Sequence, residues 1–306
     1  MLVFIIRRIL QMIPVLLGVT LVVFLIMQMV PGDPAVLLAG EGATPEKIAE
    51  VRHQLGLDKP LALQYLNYVK DVAQGDLGES IRTNRPVLSE IMTRLPVTIE
   101  LAAASILITI VLGVFAGVVS ATKQYTVADI SLMIVALLGV SLPNFWLGLM
   151  LILYFSVKLH LFPVAGWGSF MHMVLPALTL GTSGAAIVAR MTRSSMLEVI
   201  RQDYIRTARA KGVKERVIVY KHALKNALIP VVTVVGLQFG SLLGGTVLTE
   251  SVFAINGLGR LIVDAIRMRD LPMVQGAVLV VSVIFVLVNL AVDIIYRSLN
   301  KRIELN

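Results

Sequence analysis

A chain of 306 residues that is 57% hydrophobic and only 15% charged, with a mean hydropathy of +0.85, lies outside the range of soluble domains, where about a quarter of residues carry charge. Its apolar residues come in long runs, the mark of membrane spans rather than of a globular core, and the lack of any cysteine excludes disulfides, thiolate chemistry and cysteine-based metal sites. The net charge of +8 does not point to nucleic acid here, because the basic residues gather beside apolar runs, where they fix orientation in a bilayer.

Residues 1–30 read as a first transmembrane helix. The apolar run after Arg8 is about 22 residues long, interrupted only by Gln11 and Gln28, which exceeds a signal-peptide core, and no small-residue cleavage site ends it. Pro14 is expected to kink it or to mark where an interfacial turn becomes the span. PGDP at 31–34 stops the helix. Residues 31–96 then form a polar insert with seven basic and nine acidic residues, opposite in sign to the later basic loop and expected on the outer side. Two amphipathic helical patterns follow Thr44, a cap with Pro45 at the first helical position, and are separated by Gly56 to Pro60. QGDLGES and NRPV read as turn-rich connectors. The insert has too few apolar residues for an enzyme core, and a small lid or docking surface suits it better.

Four further apolar segments are expected at about 98–121, 130–157, 173–189 and 227–247, and a last one at 273–295. Lys123 and Gln124 lie in the turn between the first two of these. FPVAGWG at 162–168 follows as an external loop. Thr179, Gly181, Thr182, Ser183 and Gly184 give the 173–189 helix a small, partly polar face that permits close contact. Residues 250–272, of mixed charge, read as an external re-entrant or lid-like segment, and 296–306 as a tail anchored by Arg297, Lys301 and Arg302. The expectation is an all-α, polytopic membrane protein of six transmembrane helices with both termini in the cytoplasm. Sixteen of the 27 basic residues fall at the N-terminus, Lys123, the central loop or the C-terminus, and that asymmetry sets the orientation.

The central stretch 190–226 carries most of this charge: ten Arg or Lys against three acids between 190 and 225. It is too patterned for a passive connector. Asp203 is placed to cap a short helix over 204–211, Gly212 to end it, and a second helix is expected over about 214–226. Tyr204, Ala208 and Lys211 share one face of the first helix by their spacing. Alanine and glycine permit close approach, and Arg206 or Arg209 can reach acidic groups on a soluble partner. The plainer reading is that the charges only solvate and orient the loop.

Polar residues inside apolar segments are the other place to look for function. Pro143 removes a helical hydrogen bond and can expose carbonyls to a path through the membrane. Ser141, Asn144 and Gln238 are candidates to line such a path, with hydrogen bonding across a helix contact the alternative for Asn144 and Gln238. Asp293 and Arg297 are spaced for a local ion pair. Glu100 reads as interfacial. There is no GxxxxGK[ST] loop, no HExxH and no serine elbow, and Gly257-Leu258-Gly259 reads as a turn. The spans also lack the paired carboxylates expected of a proton-driven carrier.

Several motifs spread along the chain carry a resemblance: MVPGDP (29–34), QLGLDKPL (54–61), GDLGES (75–80), GVSLPNFWLG (139–148), VLPALTLG (174–181), DYIRTARAKGV (203–213), HALKNALIPVVT (222–233), ESVFAINGLGRL (250–261) and RDLPMVQG (269–276). Together they make the whole chain resemble a permease subunit of the bacterial dipeptide and oligopeptide ABC importers. The resemblance implies the type I importer permease fold in the inner membrane. It identifies the central loop with the family's EAA loop, which couples to the ATPase, with Gly212 at its glycine and Ala208 at its second alanine. Arg206 and Thr207 stand where the general pattern has Glu and Ala, and Lys225 where it has Pro, so contacts made through the usual Glu do not carry over. The implied partners are a related second permease, two cytoplasmic ATPase subunits and an external substrate-binding protein, besides membrane lipid. The chain itself would need no cofactor, since ATP and Mg²⁺ would bind the ATPases. The resemblance points to short peptides as cargo, with nickel chelates, glutathione or another small solute as the alternative. An ion-driven carrier and a non-transporting receptor or scaffold are the competing classes.

Overall fold

The structure, a computed structural model, describes residues 2–29, 33–40, 42–54 and 56–299. Pro31 and Gly32 of the PGDP turn, Lys301 and Arg302 lie outside them, as does the side chain of Arg297. The described elements are helical: α1 (Leu2–Met29), α2 (Pro34–Ala39), α3 (Pro45–Gln54), α4 (Leu61–Ala73), α5 (Val87–Thr122), α6 (Val127–Ser141), α7 (Asn144–Leu151), α8 (Phe170–Ile200), α9 (Asp203–Ala210), α10 (Glu215–Val217), α11 (Leu224–Gly245), α12 (Val247–Val252), α13 (Leu258–Met268) and α14 (Leu271–Leu299). Two π-helical turns, Ile152–Lys158 and Ile218–Ala223, extend α7 and lead into α11.

Five helical stretches are long and apolar enough to cross a membrane, and a sixth span results if α6 and α7 with its π-turn are counted as one. These two are bent by 104°. The cause is local: Pro143 has no N–H and its ring excludes a helical predecessor, so Leu142 is extended at φ −81°, ψ 130° and α7 restarts after the proline. Some expected boundaries move. α1 continues past Pro14, which marks no change from turn to span. NRPV is a connector up to Pro86, and α5 begins at its last residue, Val87, well before the expected start near 98, with Pro96 inside the helix. Val87 and Ile91, one turn apart and wholly buried, give this first stretch its apolar face. α8 runs on to Ile200 instead of stopping near 189, because Thr192, Ser195 and Met196 continue its buried face. The helix expected over 214–226 is one turn, α10, followed by a π-turn that feeds α11 without a break.

By its internal contacts the chain divides into two compact units, Met1–Pro96 with Arg260–Ile284 and Val97–Gly259 with Phe285–Asn306. In the first, the two amphipathic helices of the insert appear on either side of Gly56 to Pro60 as α3 and α4, with Thr44 Oγ1 accepting the Lys47 N–H at 3.4 Å. Asp33 caps α2 through the Ala35 N–H (2.9 Å) and pairs with Arg52. α4 lies on α1: the Tyr65 hydroxyl donates to the Leu17 carbonyl at 3.0 Å, and Phe24 packs on the rings of Tyr65 and Tyr68. Asp270, one residue before α14, accepts hydrogen bonds from the Ser80 hydroxyl and the Ile81 N–H, tying GDLGES to the start of the last helix.

In the second unit α5 and α8 are in backbone contact. A Cβ on Gly117 would stand 2.5 Å from that of Thr192, and one on Gly184 would meet the Thr109 hydroxyl at 2.6 Å. The Thr109 hydroxyl donates to the Gly181 carbonyl at 3.0 Å. Gly181 and Gly184 of the small face foreseen on α8 are thus where α5 rests, while Thr179 and Thr182 lie against Gly148 of α7 and Gly139 of α6. One apolar cluster gathers Leu101, Ile152, Leu175, Leu180, Phe253 and Ile255, and a second lies under the basic loop.

Candidate functional site

α9 is eight residues long, too short to persist in water unaided. It is anchored from beneath. Ile205 is fully buried in the second cluster, among Val118, Ala121, Met196, Ile218, Val219, Ala223 and Ala227, with Ala208 packed beside it. Gly212 has φ +76° and closes the helix in a Schellman arrangement: its N–H bonds the Arg209 carbonyl (2.9 Å) and the Val213 N–H bonds the Ala208 carbonyl (3.2 Å). The stop expected at Gly212 is where the structure has it.

Other assignments on this helix change. Asp203 is the first helical residue and Gln202 occupies the cap position, without a side-chain cap bond. The Asp203 carboxylate instead faces the Arg206 guanidinium at 3.5 Å. Tyr204, Ala208 and Lys211 do not form one outward face: Ala208 turns toward the cluster, and the Tyr204 hydroxyl accepts a 2.8 Å hydrogen bond from the Asn226 side chain. Arg209 is engaged within the loop by Glu215, at 2.7 and 3.2 Å. The surface left exposed on α9 and its end is made by Asp203, Arg206, Thr207, Ala210, Lys211 and Gly212, with the edges of Tyr204 and Arg209. It is a basic surface of mostly polar and small residues, with Tyr204 its one large aromatic group.

The path candidates lie elsewhere. Ser141 ends α6 with its hydroxyl turned back to the Leu137 carbonyl (2.9 Å), Pro143 is exposed at the bend, and Asn144 opens α7 half-buried. Gln238, also half-buried, lies on α11. Among the described residues neither the Asn144 nor the Gln238 amide side chain has a hydrogen-bond partner, so the helix-contact alternative draws no support from within this chain. Glu100 is exposed, and its carboxylate accepts from the Trp167 indole at 3.3 Å. No group of three or more His, Asp or Glu side chains suited to a metal ion occurs among the described residues.

Two polar clusters escaped the sequence reading. Glu250, fully buried, accepts hydrogen bonds from the hydroxyls of Thr98 (2.8 Å) and Thr246 (3.0 Å), while Thr98 itself accepts from the Leu258 N–H. The second joins Ser120, Asp129 and Arg193. Arg193 reaches Asp129 with two prongs, Nε to Oδ1 and Nη2 to Oδ2, both at 2.8 Å, and Nε also meets the Ser120 hydroxyl at 3.0 Å. Asp129 further accepts the Tyr125 N–H at 2.9 Å and is 3% exposed. An acid within the otherwise uncharged 127–157 stretch was the available signal for this cluster.

Residues 109–305 match the family described as binding-protein-dependent transport system inner membrane component, and residues 1–102 match its N-terminal region. The chain is 48% identical to a dipeptide transport system permease protein of Alkalihalophilus pseudofirmus, covering 99% of this chain and 100% of the relative. It is 47% identical to a di/tripeptide transport system permease protein of Pseudomonas aeruginosa, with 99% of each covered. It is also 47% identical, again with 99% of each covered, to a glutathione transport system permease protein of Escherichia coli. Among solved structures, a chain of the inward-facing MetNI methionine ABC transporter superposes with a TM-score of 0.59 at 23% identity, over 70% of this chain and 97% of that one, a likeness of fold.

Proposed function

The chain belongs to the binding-protein-dependent transport system inner membrane components, and on that premise we propose that it forms half of the translocation path of an ATP-driven importer of short peptides. In this reading α9 is the coupling helix. It faces the cytoplasm, as do both termini, and seats in one of two ATPase subunits that bind ATP and Mg²⁺. A related second permease completes the path, and an external binding protein delivers cargo to the opposite face.

The observation that carries the reading is the construction of α9: a basic, small-residue ridge fixed from beneath by Ile205 and closed by Gly212, with Asp203, Arg206 and Lys211 left to face a partner. A solvated connector has no need of a buried anchor. Ser141, Pro143, Asn144 and Gln238 supply polar groups for a path without charged or aromatic selectivity, which suits peptides, whose backbone is constant while side chains vary. Relatives of near-equal identity carry dipeptides in one case and glutathione, itself a tripeptide, in another. Short peptides are the class common to both, and fold alone does not choose among them.

The test is ligand identification on the cognate binding protein, then ATP-dependent uptake by the four-part complex in proteoliposomes. Uptake of di- and tripeptides supports the reading. Exclusive transport of a nickel chelate rejects the cargo but keeps the mechanism. Uptake by this chain alone on an ion gradient without ATP rejects both.

A further inference from the structure

The hydrogen-bonded trio of Ser120, Asp129 and Arg193 does more than fill a buried corner. Asp129 lies in the first turn of α6, Ser120 in the last turn of α5, and Arg193 on α8 two turns before its end. Three helices therefore meet at one carboxylate. Asp129 takes two guanidinium hydrogen bonds, the Ser120 hydroxyl and the backbone of the tight turn at Tyr125. Every contact is charge-assisted, and the two-pronged guanidinium geometry fixes orientation as well as distance.

The surroundings decide what such a joint transmits. One turn past Arg193, Met196 is fully buried against Ile205, the anchor of α9, and Val118 and Ala121 from the end of α5 complete the same cluster. α5 and α8 are locked to one another by their glycine contacts. A push on α9 therefore reaches α5 and α8 directly through apolar packing. α6 has no residue in that cluster. At this end the Asp129–Arg193 pair is its polar attachment to α8, and beyond α6 lies the 104° bend at Leu142–Pro143, with Ser141 and Asn144 on either side of it.

We propose that Asp129 and Arg193 are positioning residues for transport: the pair passes movement of the α9 ridge to α6 and so to the bend that carries the candidate path residues. The inference rests on the assignment of α9 as the coupling helix. Neither residue touches ATP or cargo. α6 also packs along α8, where Gly139 lies against Ala186, and the two-pronged pair adds a fixed orientation to that packing at the end nearest α9.

The test uses the full complex in lipid nanodiscs. The chain has no cysteine, so Val135→Cys, at an exposed position of α6, gives a single site for an environment-sensitive fluorophore. In the parent complex the fluorophore should respond to a non-hydrolysed ATP analogue. Asp129→Asn and Arg193→Lys should abolish most of that response while leaving nucleotide binding unchanged. They should also lower peptide moved per ATP hydrolysed by about tenfold, within the range for coupling between sites. A merely structural pair would reduce the number of working complexes, lowering flux and hydrolysis together and leaving their ratio and the per-molecule response intact; that result overturns the proposal. If Asp129→Asn does not accumulate, Arg193→Lys and Ser120→Ala, which keep both charges, decide the matter by the same readouts. Should the parent complex hydrolyse ATP yet move no peptide, the cargo assignment falls, and the nucleotide response of the fluorophore still tests the joint.

Discussion

Ile205 is the residue on which the presentation of α9 depends, and Ile205→Ala is the perturbation that measures it. The side chain is fully buried among seven others, and the helix it anchors is eight residues long. Removing three carbons from a closed apolar site costs about 2–5 kcal/mol. α9 is otherwise exposed and its neighbours can partly collapse, so the low end, about 2 kcal/mol, is the expected loss. The other elements of the unit have their own contacts, so the loss falls on the local opening of 203–211 rather than on the whole unit. A change of about 2 kcal/mol raises an opening equilibrium by about 30-fold. Hydrogen exchange followed by mass spectrometry on peptides spanning 200–213 should show that acceleration, with exchange in α5 and α8 unchanged. ATPase attachment should weaken in step, since ordering the ridge would then be charged to binding. Unaltered protection of 203–211 in a protein that inserts normally would falsify the claim that the cluster, rather than the loop's own hydrogen bonds, holds α9 in place.

Gly212→Val forces a β-branched residue to φ +76°, a conformational penalty of about 1–2 kcal/mol with no clash, because nothing lies within 4 Å of the added Cβ; Gly212→Asn, tolerant of that conformation, should retain far more transport than Gly212→Val, and equal activities would show the closing turn to be unimportant. Ala208→Trp should damage the loop itself, since Ala208 packs against the chain's own cluster; faster protease cleavage near residue 210 in the isolated permease is the expected sign, and a wild-type pattern with lost ATPase binding would restore Ala208 to the partner face. Single cysteines placed at Lys211 and at Asp58 should label from opposite sides of the membrane, and labelling from the same side would overturn the proposed topology. The Arg52 guanidinium beside Asp33 holds its carboxyl below the ordinary value of 3.8, so the pair's contribution is complete above that value and is lost as pH falls through the lowered one. Proteolysis of the 33–54 segment should therefore be constant at neutral and mildly acidic pH and rise only in stronger acid, and Asp33→Asn should show the raised rate throughout.

The apolar runs were legible because a span must be continuous and uncharged, and the end of α9 because left-handed backbone selects glycine at position 212. What sequence could not supply was the direction in which a short helix faces. Tyr204, Ala208 and Lys211 share a stripe by spacing alone, yet Ile205 outweighs them, and its partners come from α5, α8 and the π-turn before α11. Arg190 and Arg193 look like the start of a loop; buried neighbours at 192, 195 and 196 make them part of a helix. The pairing of Arg193 with Asp129 spans 64 positions, and that of Thr98 with Glu250 spans 152, so neither leaves a periodic trace.

The length of α8 has a mechanical meaning. Thirty-one residues at a rise of 1.5 Å make a rod of about 46 Å, against a hydrocarbon layer of about 30 Å. Even tilted by about 20°, the rod stands well clear of the apolar slab, and α9 sits at its tip. In the proposed assembly, a soluble subunit seated on that tip would meet the permease at headgroup level rather than within the apolar slab. A force applied there would act on the transmembrane part of α8 with the leverage of a handle set outside the wall it turns.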